Sequence, residues 1–474
     1  MAILDHEQRR GVIAQVRRYK AAIVIGAGLV LALLVMLHFP GLNGPWYWKW
    51  VYRRLPAFPL YFAMGIASLP ILGAQFVWGK NPGPGVRIGA LAMLVVGCFS
   101  LKLASVMIRT SPPSLMYIPA MVTDEHAFSY YTDALGLSQH PTAEWIANYP
   151  DLMWQLHTHT KIKPPGLVLY WVTMIHSFDR FAGPLEDYYP ALYGGLGLGI
   201  LGALSIPAAY LMLAKLLNDR SAAFAAASYL SLCPGFVLFF PTFDPTYVLI
   251  SSAMIGFWYL ALRDDAPRWS MALGMVLGLM LFIIFNLLVL GAFMLGLVLY
   301  VRADERTLRH RLHIAARHAA IVASAVLVVL GIFFLTVQYD PLATLRSAWK
   351  TQNMQLALHP GSRPYPYTIL FDLTDFLLGS GWISAALVAF YFITGPRDRR
   401  RDQLIWLALG QLLLVAVTGL LPGETARVWN FMLPLLLLPV GIELSGWPLG
   451  KRVGVLAVLA LITATIHQNM LFIY

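Results

Sequence analysis

Five polar stretches carry side chains whose types and spacing could do chemistry. In "MVTDEHAFSYYTDALG" (Met121–Gly136), Asp124 and Glu125 stand side by side, followed by His126, a tyrosine pair and a second aspartate. An ionised carboxylate there could act as a general base. In "HTHTKIKPPG", His157, His159, Lys161 and Lys163 precede a proline pair. A lysine offers three N–H donors and a full charge, which suits a phosphate oxygen. "FFPTFDPTY" holds Asp244, and "PGETAR" holds Glu424 and Arg427. The stretch from Gln338 to Tyr367 adds Arg346, Lys350 and Arg363.

Each of these has a plainer reading. Acids such as Asp124 and Glu125 suit a helix N-terminus, where the dipole favours negative charge. His157 and His159 alternate as neighbours on one face of an extended strand do, and such a pair could bind a metal. Asp244 could cap the helix that follows. Glu424 and Arg427, three residues apart, could form a structural ion pair. Arg346, Lys350 and Arg363 could be ordinary surface charges.

The elements that must position these residues are apolar. The 474 residues are 58% hydrophobic and only 12% charged, with a mean hydropathy of +0.66. A soluble protein carries about a quarter of its residues as charges. Apolar runs long enough to cross a bilayer alternate here with short charged links, so the chain is expected to be a polytopic membrane protein. The net charge of +11 does not indicate nucleic acid, because the basic residues sit in those links. Cys98 and Cys233 both fall inside predicted spans, which argues against a structural disulfide or a cysteine metal site.

About thirteen crossings are expected. Among them are Ala222–Phe240, Tyr367–Phe392 and Val428–Leu444, and a long run, Trp269–Tyr300, that splits near Asn286. The apolar segment Pro164–Phe178 is short and opens with two prolines, so it is placed in the interface. The N-terminal segment is charged and lacks a small-residue cleavage site, so it leads into an uncleaved first helix. Most of the 34 Lys and Arg residues then lie in links on the N-terminal side, which the positive-inside rule makes cytoplasmic. The chain divides into 1–108, a tail with three helices; 109–189, a first large outer loop; and 190–474, the remaining helices with outer loops 338–366 and 422–427. All five polar stretches share the outer side.

With their order and common side established, these motifs resemble the GT-C glycosyltransferases. The likeness lies in the acidic "DE" early in the first large outer loop and the His/Lys-rich run into "PPG". A "P…D" motif after a later span and an "E-x-x-R" before a late helix complete it. It spans roughly Thr123 to Pro434 and is closest to the bacterial branch related to protein O-mannosyltransferases and the lipid A aminoarabinose transferase. The resemblance implies an all-α fold of about thirteen transmembrane helices, with an outer-face loop region of short interfacial helices. It implies an inverting glycosyltransferase that moves a sugar from a polyprenyl-phosphate carrier to an acceptor hydroxyl on the outer face of the plasma (inner) membrane. Asp124 would be the general base. Lys163, Arg427 and one of Arg346, Lys350 or Arg363 would meet the leaving phosphate. Glu125 and Asp244 would orient the acceptor or the cations, and His157, His159, Lys161 and Glu424 would line the substrate site. Several relatives carry an acid just before the proline pair, where this chain has Lys161, Ile162 and Lys163. That substitution favours phosphate over metal. No cofactor is required in this reading, a divalent metal near His157 and His159 being the lesser alternative. The expected partners are the lipid-linked donor, a glycan, lipid or protein acceptor, and membrane lipids, with no nucleic acid. The rival functions are a lipid-carbohydrate ligase or polymerase, disfavoured by the early position of the acids, and a transporter. Transporters usually carry inverted repeats and midplane charges, and no repeat is visible in this sequence.

Overall fold

The structure, a computed structural model, describes the chain except residues 1–5, 43–50, 80–81, 126–127, 179–187, 302–306, 359–364, 396–397 and 472–474. His126 and Arg363 therefore lie outside the described residues.

The chain begins with three long helices, α1 (His6–Met36), α2 (Ala57–Trp78) and α3 (Pro84–Met107). The first loop follows, built from four short helices: α4 (Tyr117–Val122), α5 (Tyr130–Leu137), α6 (Thr142–Ala147) and α7 (Tyr149–Leu152). Next comes α8 (Gly166–Phe178), whose 13 residues reach only about 20 Å, too little to cross a bilayer core of about 30 Å. Then come α9 (Tyr188–Leu217), α10 (Arg220–Leu230), α11 (Pro234–Val237) and α12 (Tyr247–Asp264). These are followed by α13 (Pro267–Ile283), α14 (Gly291–Tyr300), α15 (Leu308–Val337) and α16 (Pro341–Leu358). The chain closes with α17 (Tyr367–Gly379), α18 (Ile383–Thr394), α19 (Arg399–Thr418), α20 (Thr425–Val428), α21 (Leu433–Ser445) and α22 (Leu449–Asn469). The only sheet among the described residues is a two-residue antiparallel pair, β1 (Val51–Tyr52) with β2 (Met470–Leu471). The protein is an all-α polytopic membrane protein.

Local chemistry sets the helix starts. Asp219 accepts the Ser221 and Ala222 N–H groups at 3.0 Å each, capping α10. Asp398 does the same for Arg400 at the start of α19, and Asp340 for Leu342 and Ala343 in α16. Each satisfies backbone donors that a helix leaves open.

The number of crossings differs from the expected thirteen. Among the described residues eight helices are long and apolar enough to span a membrane: α1, α2, α3, α9, α12, α15, α19 and α22. The pair α17–α18 makes a ninth at most, because it bends by 98° at its break. Two expected crossings turn inward instead. Every residue from 222 to 243 and from 429 to 444 is buried, and the helices they form, α10 and α21, pack against each other at the centre. Helix α10 has 11 residues and α21 has 13, and Pro234 opens a separate short turn after α10. Hydropathy registers an apolar surrounding but not whether lipid or protein supplies it. Helix α15 is the opposite case: only 6% of its most apolar stretch is buried inside the protein. The long run Trp269–Tyr300 does break where expected, with a 3-10 turn over Asn286–Leu290 between α13 and α14.

Helix α16 lies against the first loop, where the Ser347 hydroxyl donates to the Pro150 carbonyl at 2.7 Å. Helix α20, which ends the late loop, packs on α17 and α11. Both gather at the same end of the bundle as the first loop.

Candidate active site

The first loop is held by a buried acid. Asp133, in the first turn of α5, is 8% exposed. It accepts the His157 backbone N–H at 3.2 Å and faces His157 Nδ1 at 2.7 Å. A carboxylate only accepts, so Nδ1 carries the proton in this pair. On the other side of the ring, Nε2 lies 3.5 Å from the Glu125 carboxylate. The Ser129 and Thr160 hydroxyls join the same two stretches at 3.2 Å. Asp124, next to Glu125, is half-buried, and its carbonyl accepts the Phe128 N–H at 2.8 Å.

The turn after His157 then aims Lys163. The Thr160 and Lys161 N–H groups both return to the His157 carbonyl at 3.0 Å, and the Lys163 N–H returns to Thr160 at 2.9 Å. This turn is a 3-10 helix, Thr160–Ile162, not the extended strand in which His157 and His159 would share a face. His159 and Lys161 sit half-buried in it. Beyond the buried proline pair, Gly166 lies so close to α13 that a Cβ there would meet the Phe282 carbonyl at 2.5 Å and the Ile283 Cα at 3.0 Å. The "PPG" is therefore a close backbone approach that only glycine permits. It brings Lys163 to the break between α13 and α14, where Nζ donates to Asn286 Oδ1 at 2.9 Å.

The late loop is held by two acids that are fully inside the protein. Asp372 and Asp375 on α17 are 0% and 3% exposed. Asp372 Oδ1 accepts the Gly423 N–H at 2.7 Å, and its carbonyl accepts the Thr425 hydroxyl at 2.5 Å. Asp375 Oδ2 accepts the Ala426 N–H at 2.9 Å and faces the same hydroxyl at 3.2 Å. Glu424 sits between them in the left-handed region, φ 50°. The chain is thereby turned so that Arg427 Nη2 meets Glu424 Oε2 at 2.6 Å and Nε lies 3.9 Å from Asp244 Oδ2. Arg427 Nε is buried and has no hydrogen-bond partner among the described residues. Asp244 opens the 3-10 turn ahead of α12. The neighbouring Phe243 ring anchors it, packing edge-on against Tyr130 at 5.7 Å and Tyr170 at 5.4 Å.

Three distant segments thus converge: Lys163 from the first loop, Asp244 from the start of α12, and Arg427 from the late loop. They lie near enough for each charge to act on the others. Burial lowers the Lys163 pKa to about 8, with Asp244 opposing the shift and Arg427 adding to it. Burial also works against the Arg427 charge, but Glu424 and Asp244 outweigh it and raise its pKa. The Tyr130 phenol is pushed up by burial and by Asp244, and Arg427 pulls it down. Two cations gathered around one aspartate make a positively charged cluster suited to an anion.

The other expected residues fall elsewhere. Arg346 and Lys350 are exposed on α16. Among the described residues no group of three or more His, Cys, Asp or Glu side chains is arranged to hold a metal, and both His157 ring nitrogens face carboxylates. Of the positioning residues, Tyr130 and Asp133 were visible in the first stretch and Asn286 as a helix break, none of them as a site residue, and Asp372 and Asp375 were not picked out from the sequence. Two acids three residues apart in the apolar run "LFDLTDFLL" are the visible signal for the last two, since such acids are rare in membrane helices.

A family model described as dolichyl-phosphate-mannose-protein mannosyltransferase matches residues 196–333. The match covers the chain from within α9 to within α15, including Asp244 and Asn286, and stops short of the first and late loops. It supports a membrane glycosyltransferase of the GT-C type. No curated protein matches this chain.

Proposed function

We propose that this protein is an inverting glycosyltransferase that transfers a sugar from a polyprenyl-phosphate carrier to an acceptor hydroxyl at the outer face of the inner membrane. The observation that carries this reading is the meeting of Lys163 and Arg427 beside Asp244. Preorganised cations of this kind stabilise the charge that develops on a leaving phosphate, often the largest catalytic contribution.

In the reaction, the Asp124 carboxylate takes the proton from the acceptor hydroxyl. The acceptor oxygen forms its bond to the anomeric carbon from one face. The bond from that carbon to the phosphate oxygen breaks on the other, and the electron pair leaves with the lipid phosphate. Lys163 and Arg427 meet that charge. Glu125 and His157 support the base, while Asp244 and Glu424 hold Arg427. Arg346, Lys350 and Arg363 remain candidates for a third phosphate contact, and His159 and Lys161 for acceptor contacts. No bound cofactor is called for, and a divalent ion at His157 and His159 is the lesser alternative.

The test is sugar transfer by purified protein in detergent, offered a panel of polyprenyl-monophosphate sugars. Release of polyprenyl phosphate that disappears in Asp124→Asn supports the reading. Lipid movement across vesicles without any sugar transfer, surviving that substitution, would replace it with transport.

A further inference from the structure

A second cationic place lies away from the reaction cluster. A shallow open cleft is lined by Arg53, Arg109, Tyr117 and His467, with Leu55 and Met470 among its apolar residues. None of Lys163, Asp244 and Arg427 lines it. Three span ends build it: the start of α2, the end of α3 and the end of α22.

The backbone sets Arg53 in place, and side-chain contacts set Arg109. The β1–β2 pair continues into Arg53, whose N–H donates to the Asn469 carbonyl at 3.0 Å, and into Leu55, whose N–H donates to Gln468 at 2.8 Å. Arg109 donates from Nη1 to the Tyr117 hydroxyl at 3.1 Å and lies over that ring at 5.2 Å. No acidic side chain lines the cleft. Neither arginine has a carboxylate partner among the described residues. His467 is 2% exposed. Its Nε2 meets the Ser105 carbonyl at 2.6 Å and must be the donor. That leaves Nδ1 as an acceptor, buried and without a hydrogen-bond partner among the described residues. The cleft therefore offers two positive charges and one acceptor. A phosphodiester that also carries a hydroxyl complements both.

The apolar part of such a ligand also has a place. Phe58, Phe62, Ile66 and Leu69 on α2 are 80%, 60%, 52% and 59% exposed. Their spacing of four, four and three puts them on one helix face, beginning just past Leu55.

We propose that this cleft binds the head group of an anionic, hydroxyl-bearing phospholipid such as phosphatidylglycerol, with its acyl chains along the outward stripe of α2. The bound lipid fastens the first two helices to the ends of α3 and α22.

Native mass spectrometry and thermal unfolding of the detergent-purified chain test this, with phosphatidylglycerol, phosphatidylcholine or inorganic phosphate added. Phosphatidylglycerol should be retained at one copy and raise the unfolding temperature, and phosphatidylcholine should not. Arg53→Gln, at an exposed position that leaves the fold intact, and Arg109→Gln should each weaken retention at least about tenfold, the worth of a charged hydrogen bond. Equal retention of phosphatidylcholine overturns the proposal, as does unchanged retention by Arg53→Gln. A shift that inorganic phosphate alone reproduces reassigns the cleft to a free anion and overturns the lipid.

Discussion

Lys163 is the residue in which burial and charge compete most directly. Its ordinary pKa of 10.5 falls to about 8, so between those values the folded protein binds fewer protons here than the unfolded chain. By linkage, this lysine adds stability as pH rises from about 8 to 10.5. Its phosphate contact goes the other way, being lost as pH rises through about 8. Donor kcat/KM, which reports the free enzyme, should therefore fall above pH 8 in the wild type. In Lys163→Arg, whose side chain stays charged, any activity retained should lack that fall. The same decline in both proteins would exclude Lys163 as its source. Asp124 carries a separate prediction. Asparagine is nearly isosteric but cannot take a proton, so Asp124→Asn should lower the rate roughly 100- to 10,000-fold with lipid binding kept. Glu125→Gln should cost less, because Glu125 reaches the site through His157. A dead Glu125→Gln beside an active Asp124→Asn would move the base by one residue.

At the scale of elements, the late loop depends on α17. Asp372 and Asp375 accept bonds from Gly423, Thr425 and Ala426, and these turn the chain that presents Arg427. Replacing Asp375 by Ala removes the acceptor of the Ala426 N–H and leaves that donor unsatisfied, which costs about 1–3 kcal/mol. The expected result is a lower unfolding temperature together with a raised KM for the lipid-linked donor. Asp375→Asn, which keeps an acceptor for the Ala426 N–H, should recover part of both. A lower unfolding temperature with unchanged KM would mean that α17 supports the fold but not Arg427. The first loop works similarly, with Asp133 gripping both the backbone and the ring of His157. The motif "HTHTKIKPPG" showed which residues could act. Its 3-10 turn and the Gly166 contact with Phe282 could not be read from it, because the turn is held by Asp133 and Ser129 in another segment and the contact by a residue more than a hundred positions away.

At the scale of the whole molecule, the proposed orientation has the N-terminus inside and the first loop outside. Helix α19 has 20 residues, about 30 Å. Its first turn lies beside the end of α9, with Arg401 3.6 Å from Asp219, and its far end leads into the late loop. Cysteine placed at Ser138 should react with an impermeant reagent in intact cells, and cysteine at Arg399 only after permeabilisation. Labelling of both from the same side would refute the orientation.

By composition and hydropathy alone, the sequence determined a helical membrane protein with its polar motifs at the ends of apolar runs. It also determined the helix break at Asn286, where one run was too long for one crossing and too short for two of full length. It did not determine the number of spans. Residues 222–243 and 429–444 are as apolar as true crossings, and only packing shows that they meet protein on all sides. Nor could it bring Lys163, Asp244 and Arg427 together, since a shared side of the membrane is not a shared site. Tertiary structure decided that, through Gly166 against α13, Phe243 among the aromatic rings and Asp375 beneath the late loop. Each of these contacts joins segments remote in sequence, so no local pattern of residues encodes it.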